Sequence, residues 1–315
     1  MVSGLYFFSI LIIFDGGKGM NTSLGYLLKL QKFEYFEAKS VREGCLLLSK
    51  YGRDAKLIAG GTDLLISMKK REISPKYLIN IKNIPELNCI EYGGRGLRIG
   101  ALTTLNDVEN SPVVQDKVPI LASSCHQIGT PQIRNLGTIG GNICNASPSA
   151  DTAPSLIGLG AKVKIVGLNG ERTIPVEEFF VGPGESALQE SEILTEIQIP
   201  NLSEHTKGIY LKLPARTAID IATVGVAVVL ILDSKNHNAL DIKIVLGAVG
   251  STPIRAYKAE EIIKGKVIQV QLIKAAAQTA ALEAKPISDI RGSANYRKQM
   301  VKVLTDRALR QVGAL

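Results

Sequence analysis

The segment from Gly129 to Asp151, GTPQIRNLGTIGGNICNASPSAD, constrains this chain more than any other. It gathers Gly137, Gly140 and Gly141 with Thr138, Asn142, Asn145, Ser147 and Ser149, and almost no charged side chain. A stretch this polar can be a plain surface loop. It can also wrap closely around a polar ligand, because nothing bulky stands between main chain and ligand. A second, shorter signal lies upstream. Ala59-Gly60-Gly61-Thr62-Asp63-Leu64-Leu65 follows a short apolar strand, Lys56 to Ala59, and runs into helical spacing from Leu64 to Lys70. A strand that ends in two glycines and re-enters a helix presents successive amide N–H groups, which attract phosphate. Thr62 and Asp63 read as capping residues for that helix. The loop matches neither the dinucleotide fingerprint nor the P-loop, and alone it is also compatible with a tight turn. Two such loops together point to a phosphate-bearing cofactor. Asp151 repels phosphate, yet its carboxylate can accept from a ribose hydroxyl.

The rest of the pattern is orderly. A strand at Phe33 to Phe36, a helix capped by Ser40 and ending near Tyr51-Gly52, and strands at Lys56 to Ala59 and Lys76 to Ile81 make a small α/β unit. From Ile90 to Pro200 the strands are short and the turns rich in glycine, with a hairpin at Asn169-Gly170. Beyond Gly208, strands at Tyr210 to Leu213, Ala222 to Leu232 and Ile242 to Val249 precede three helices. These shifts partition the chain into residues 31–88, 89–205 and 206–315. Residues 1–30 form an extension outside the fold. Its apolar run, Leu5 to Phe14, is too short for a bilayer and lacks the basic start of a signal peptide.

Thirty-seven Lys and Arg against 29 Asp and Glu leave a formal charge of +8. An anionic ligand, a nucleic acid, a membrane surface or an acidic partner would each suit that excess. Tryptophan is absent, so stacked aromatics for a nucleic acid are in short supply. Cys45, Cys89, Cys125 and Cys144 are far apart with no C-x-x-C, and His126, His205 and His237 are scattered. We therefore assign no metal site and expect free thiols in a reducing cytoplasm. The last helix carries Arg297, Lys298, Lys302, Arg307 and Arg310, a solvated basic face or a dock for an acidic partner.

AGGTDLL, TIGGNICNASPSAD with Ala153-Pro154, YLKLPARTAIDIA (Tyr210 to Ala222) and DIRGSANYR (Asp289 to Arg297) occur in this order. Together they closely resemble the FAD-binding subunit of molybdenum hydroxylases, the xanthine dehydrogenase and aerobic carbon monoxide dehydrogenase family. The likeness covers the chain from about Lys32 to the end. It implies an α+β fold: a two-subdomain FAD-binding unit of the vanillyl-alcohol-oxidase type, then a C-terminal α+β domain. The FAD-binding unit pairs a small α/β subdomain with a mixed or antiparallel sheet.

The resemblance also implies a site. Leu57, Ile58, Ala59, Gly60, Gly61, Thr62, Asp63 and Leu64 would line the adenosine diphosphate part of FAD. Thr138, Ile139, Gly140, Gly141 and Asn142 would form the other side of the pyrophosphate cradle, with Ile128 touching the cofactor. Asp151 would take a ribose or adenine-side contact, Leu194 would pack near the isoalloxazine, and Lys212 would hold its ammonium beside the ring. No catalytic residue is assigned, since no side chain reads as a general base. The implied function is electron transfer inside an oxidoreductase. FAD would take electrons from [2Fe–2S] clusters of a small subunit and pass them to NAD⁺, a quinone or another acceptor. Substrate would be oxidised on a molybdopterin-containing large subunit, in a dimer of heterotrimers. Cys125 and Cys144 are too few and wrongly spaced for the inserted [4Fe–4S] loop of one family variant. Two rival readings predict different chemistry: a self-contained flavin reductase, and a basic scaffold that binds nucleic acid.

Overall fold

The computed structural model describes residues 30–215, 220–233 and 238–314. The N-terminal extension and part of the YLKLPARTAIDIA motif (216–219) lie outside the described residues.

Three sheets follow one another along the chain. The first holds β1 (Glu34–Glu37), β2 (Ala55–Ile58) and β3 (Tyr77–Asn80), parallel, in the order β1-β3-β2. Its crossovers are α1 (Val41–Tyr51) and α2 (Leu64–Lys69). The α1 N-terminus is fixed because the Ser40 hydroxyl accepts from the Glu43 amide. The expected capping at α2 differs. Asp63 occupies the N-cap position in helical geometry and its side chain caps nothing.

The second sheet is antiparallel, in the order β4 (Ile90–Gly93), β5 (Gly96–Gly100), β10 (Ile193–Ile199), β6 (Lys162–Gly167) and β7 (Gly170–Pro175). A small ribbon, β8 (Phe180–Gly182) with β9 (Glu185–Ser186), lies between β7 and β10 in sequence. Six short helices fill the gap between β5 and β6: α3 (Leu105–Asn110), α4 (Pro112–Lys117), α5 (Pro119–His126), α6 (Pro131–Leu136), α7 (Ile139–Cys144) and α8 (Thr152–Gly158). The Gly129 to Asp151 segment is therefore not one long loop. Thr130 and Thr138 each accept an amide at the start of a single helical turn and a half, α6 and α7. Two caps eight residues apart convert a loop-like composition into helix.

The third sheet runs β11 (Thr206–Pro214), β12 (Ala222–Leu232), β13 (Ala239–Gly247) and β14 (Ile254–Arg255) in chain order, all antiparallel. Strand β12 separates two cores. Ala227 and Val229 face the core built around the second sheet, while Val224, Val226, Val228 and Leu230 face the C-terminal helices. With both faces covered, its first nine residues are all buried, which explains an unbroken apolar run. The helices on that second face are α9 (Tyr257–Ile263), α10 (Val270–Glu283) and α11 (Ala294–Gly313). Among the described residues no helix is long and apolar enough to cross a membrane.

Candidate functional site

The first glycine loop is where the backbone is left open. From Gly60 to Leu64, five successive amides donate to no acceptor among the described residues, and only Leu65 resumes helical bonding, to Gly61. Leu57 to Thr62 and Leu64 are half-buried and Asp63 is exposed, so these donors lie at a partly covered surface. Buried or recessed amides need acceptors, and a run of them is a ready anion site. Gly61 has φ of +75°, a conformation glycine holds without strain. At Gly60 the demand is for space: a Cβ there would lie 2.1 Å from the Leu136 carbonyl oxygen at the end of α6. The two glycine-rich segments are thus in direct contact, as a Cβ on Gly137 would also touch the Thr62 hydroxyl.

The second segment contributes differently from expectation. The amides of Ile139 and Gly140 donate to Thr103 and Ala101, and that of Gly141 donates to the Thr138 hydroxyl. Those donors are engaged within the protein. The glycines instead let α7 sit against the exit of β5, since a Cβ on Gly140 would come within 2.6 Å of Ala101. What this side offers a ligand is surface: Gly141 and Asn142 are half-buried, whereas Thr138, Ile139 and Gly140 are buried. The Asn142 side-chain oxygen accepts from the Thr152 hydroxyl at 2.5 Å, which ties α7 to α8.

A second cluster lies on β11. The Lys212 ammonium is 2.7 Å from one Asp151 oxygen, and the Tyr210 hydroxyl donates to the other at 2.6 Å. Lys212 also donates to the Gln127 carbonyl, 2.9 Å away. The Lys212 and Asp151 side chains are only 6% and 8% exposed. Burial pushes the Asp151 carboxyl above its ordinary value, against the pull of Lys212 and Tyr210. Burial, then the Asp151 charge, drives the Tyr210 hydroxyl well above its own.

Asp151 is a buried charge partner whose two oxygens both accept from protein groups, Tyr210 and Lys212. Lys212 is neutralised rather than a lone cation. Leu194, 3% exposed in the core, lines no open surface. Ile128 is half-buried, and its carbonyl accepts from Arg134. Arg134 is itself buried, 2.6 Å from Glu109, which also meets His126. Tyr210, Gln127, Arg134 and Glu109 were not legible as site residues, because each acts through a partner distant in sequence. Among the described residues no group of His, Cys, Asp and Glu is placed to hold a metal.

The amides from Gly60 to Leu64, with no acceptor among the described residues, and the small residues that allow close approach fit a pyrophosphate-bearing cofactor. Comparison with known proteins gives it a family. Residues 31–202 match the model for the FAD binding domain in molybdopterin dehydrogenase, and 209–312 match the CO dehydrogenase flavoprotein C-terminal domain. The chain belongs to this family. Its cofactor is FAD, and it is an oxidoreductase flavoprotein subunit, the medium subunit of a molybdenum hydroxylase. It is 40% identical to the carbon monoxide dehydrogenase medium chain of Hydrogenophaga pseudoflava over 279 residues, 88% of this chain and 96% of that one. The glyceraldehyde dehydrogenase medium chain of Sulfolobus acidocaldarius is 36% identical over 282 residues, 89% of this chain and 98% of the other. A solved carbon monoxide dehydrogenase of Hydrogenophaga pseudoflava superposes with a TM-score of 0.88 at 40% identity, over 91% of this chain and 99% of its own. The α+β architecture implied by the sequence motifs is that of the family, and the nucleic-acid scaffold is set aside.

Proposed function

We propose that this medium subunit relays electrons from [2Fe–2S] clusters on a small subunit to NAD⁺, a quinone or another acceptor. Substrate oxidation falls to a molybdopterin-containing large subunit, within a dimer of heterotrimers in the cytoplasm. Its folding units are residues 31–88, 89–205 and 206–315. The reading draws its main support from the five amides of Gly60 to Leu64, which donate to no acceptor among the described residues.

Bound FAD supplies the redox chemistry, and the protein supplies binding, orientation and electrostatics. Gly60 to Leu64 hold the pyrophosphate through main-chain donors, with Leu57 to Ala59 beneath. Thr138 caps α7 so that Gly141 and Asn142 present a smooth second wall. Lys212 and Asp151 form a near-neutral pair, so the ring environment gains little net charge from them. The Gln127 carbonyl holds that ammonium, and the Tyr210 hydroxyl holds the Asp151 carboxylate. The Ile128 carbonyl is held by Arg134, which fixes that segment's main chain.

The test is reconstitution. Subunit prepared with FAD should show a flavin spectrum, and substrate should bleach it only when the large and small subunits are both present. Bleaching by substrate in the isolated subunit would favour the self-contained reductase and overturn this reading.

A further inference from the structure

Helix α6 is inverted. Ile133 and Leu136 stand 40% and 49% exposed, while the one buried residue among its six is Arg134, at 7%. Hydrophobicity would bury the aliphatic side chains instead, since arginine is almost never buried unless it is paired. The reason for the inversion is where the guanidinium points. One of its terminal nitrogens donates to the Ile128 carbonyl at 3.1 Å and, at the limit of a hydrogen bond, to the Gly129 carbonyl at 3.5 Å.

The same turn is held a second time. The Gln127 carbonyl accepts from the Lys212 ammonium at 2.9 Å. Three successive main-chain carbonyls therefore turn toward two buried cations. Each cation has its own carboxylate: Asp151 is 2.7 Å from Lys212, and Glu109 is 2.6 Å from Arg134. The Arg134 Nε and the Glu109 oxygen facing it are buried and lack hydrogen-bond alignment, so this contact balances charge without clamping the guanidinium. The other Glu109 oxygen meets His126, the last residue of α5, at 2.7 Å. Gly129 closes the turn with φ of +48°, which glycine adopts without strain.

Arg134 also reaches toward the opposite wall of the cradle. Leu136, two positions on, ends α6, and its carbonyl is the group that leaves no room for a Cβ at Gly60. One side chain thus stands between the 127–129 turn and the first glycine loop.

We propose that Arg134 is a positioning residue of the FAD site. With Ile128 and Lys212 placed at the flavin as proposed above, on which this role rests, Arg134 sets their position by holding the turn that bears Ile128 and anchors the Lys212 ammonium. Glu109 supplies the charge that lets the guanidinium stay buried. Lysine cannot substitute fully, because its compact ammonium lacks the planar fork that serves a carboxylate and two carbonyls together.

The decisive variant removes both charges. Arg134→Met with Glu109→Gln keeps the net charge and avoids stranding one member of a buried pair, so it separates position from charge. It should bind FAD at least tenfold more weakly in a fluorescence titration, and the flavin it retains should show an altered visible circular dichroism. Arg134→Lys, the milder change, should fall between this variant and the parent, and parental dichroism in it would overturn the role. Arg134→Met alone leaves the Glu109 charge uncompensated, so its flavin should also be harder to reduce. A tenfold loss of affinity for reduced over oxidised FAD would lower the midpoint potential by about 30 mV. Urea unfolding of each variant reports stability separately from these flavin signals. A double variant with the parent's FAD affinity and flavin dichroism would overturn the role of Arg134 and leave the cradle standing. So would lost affinity with an unchanged dichroism per bound flavin. A parent that took up no FAD would sink the cradle and this proposal with it.

Discussion

The Lys212 ammonium and the Asp151 carboxylate meet at 2.7 Å, sixty-one positions apart in sequence and almost wholly removed from water. A buried pair of this kind contributes little net stability as a pair, yet breaking one half is costly. Lys212→Met strands the carboxylate with only the Tyr210 hydroxyl, and should destabilise the fold by about 3–5 kcal/mol. Urea unfolding of the single variant and of Lys212→Met with Asp151→Leu would measure it, the double variant losing less. Asp151 titrates above its ordinary value because of burial, and the variant loses the ammonium that opposes that rise. A carboxyl raised in the folded state favours folding when protonated. The Lys212→Met variant should therefore recover stability as pH falls through that raised value. A variant as stable as the parent at neutral pH would remove the ion pair from the argument.

The same pair predicts how the flavin is tuned. Asp151→Asn leaves the ammonium uncompensated, so an anionic reduced flavin nearby would be favoured. Its midpoint potential should rise by roughly 30 mV for every 1.4 kcal/mol of added attraction. Spectroelectrochemical titration of the FAD-loaded subunit reads this directly. An unchanged potential would place Lys212 away from the ring.

Glycine substitutions should separate the two loops. Gly60→Ala drives a methyl group onto the Leu136 carbonyl, a rigid main-chain atom, so the contact between the segments must open. Both stability, by about 1–3 kcal/mol, and FAD retention should fall. At Gly141 the added methyl meets only the Thr138 hydroxyl, at 2.9 Å, within a helix that accepts alanine. Gly141→Ala should keep the fold and change FAD affinity by a few-fold at most. Equal FAD loss in both would mean that the cradle depends on α7 as much as on the first loop.

Much of this was legible from local sequence. Ser40 marks the start of α1, the Ala222 to Leu232 run is β12 residue for residue, and AGGTDLL identifies the loop whose amides are left open. The second glycine segment was harder to read, because α6 and α7 have six residues each, too few for a helical period to emerge. Its glycines face protein, not ligand, and only the position of Ala101 reveals that. The pairing of Lys212 with Asp151 has no local signature at all. It arises because β11 returns antiparallel beside β12 and carries Tyr210 and Lys212 under α8.

The thiols should be sorted by burial. Cys45 and Cys125 are 1% and 0% exposed, and burial pushes both above the ordinary thiol value. Cys89 and Cys144 are partly exposed as residues, yet burial raises both thiols as well, that of Cys144 to about 12. Since the thiolate is the reactive form, titration of the folded protein with an aromatic disulfide should find no more than two of the four cysteines. Peptide mapping should place the label first on Cys89, whose thiol Arg98 helps to hold down. Label on Cys125 before unfolding would show that the core around α5 opens.

Acid sensitivity should trace in part to Glu192. Its carboxylate takes two bonds from the Arg172 guanidinium, at 2.8 and 2.7 Å, at the entry to β10. Arg172 accordingly holds the Glu192 carboxyl below its ordinary value of 4.5, with the Gln189 amide assisting and burial opposing. A carboxyl lowered in the folded state binds fewer protons there than when unfolded. Its contribution is complete above pH 4.5 and disappears as pH falls through the lower folded value. Glu192→Gln should cost about 1 kcal/mol or less at neutral pH, since Arg172 is partly exposed. Its stability should also decline less steeply than the parent's below pH 4.5, approaching it at the acid end. Urea unfolding repeated at several pH values would show the two curves converging; parallel curves throughout would assign the acid limb to other carboxylates.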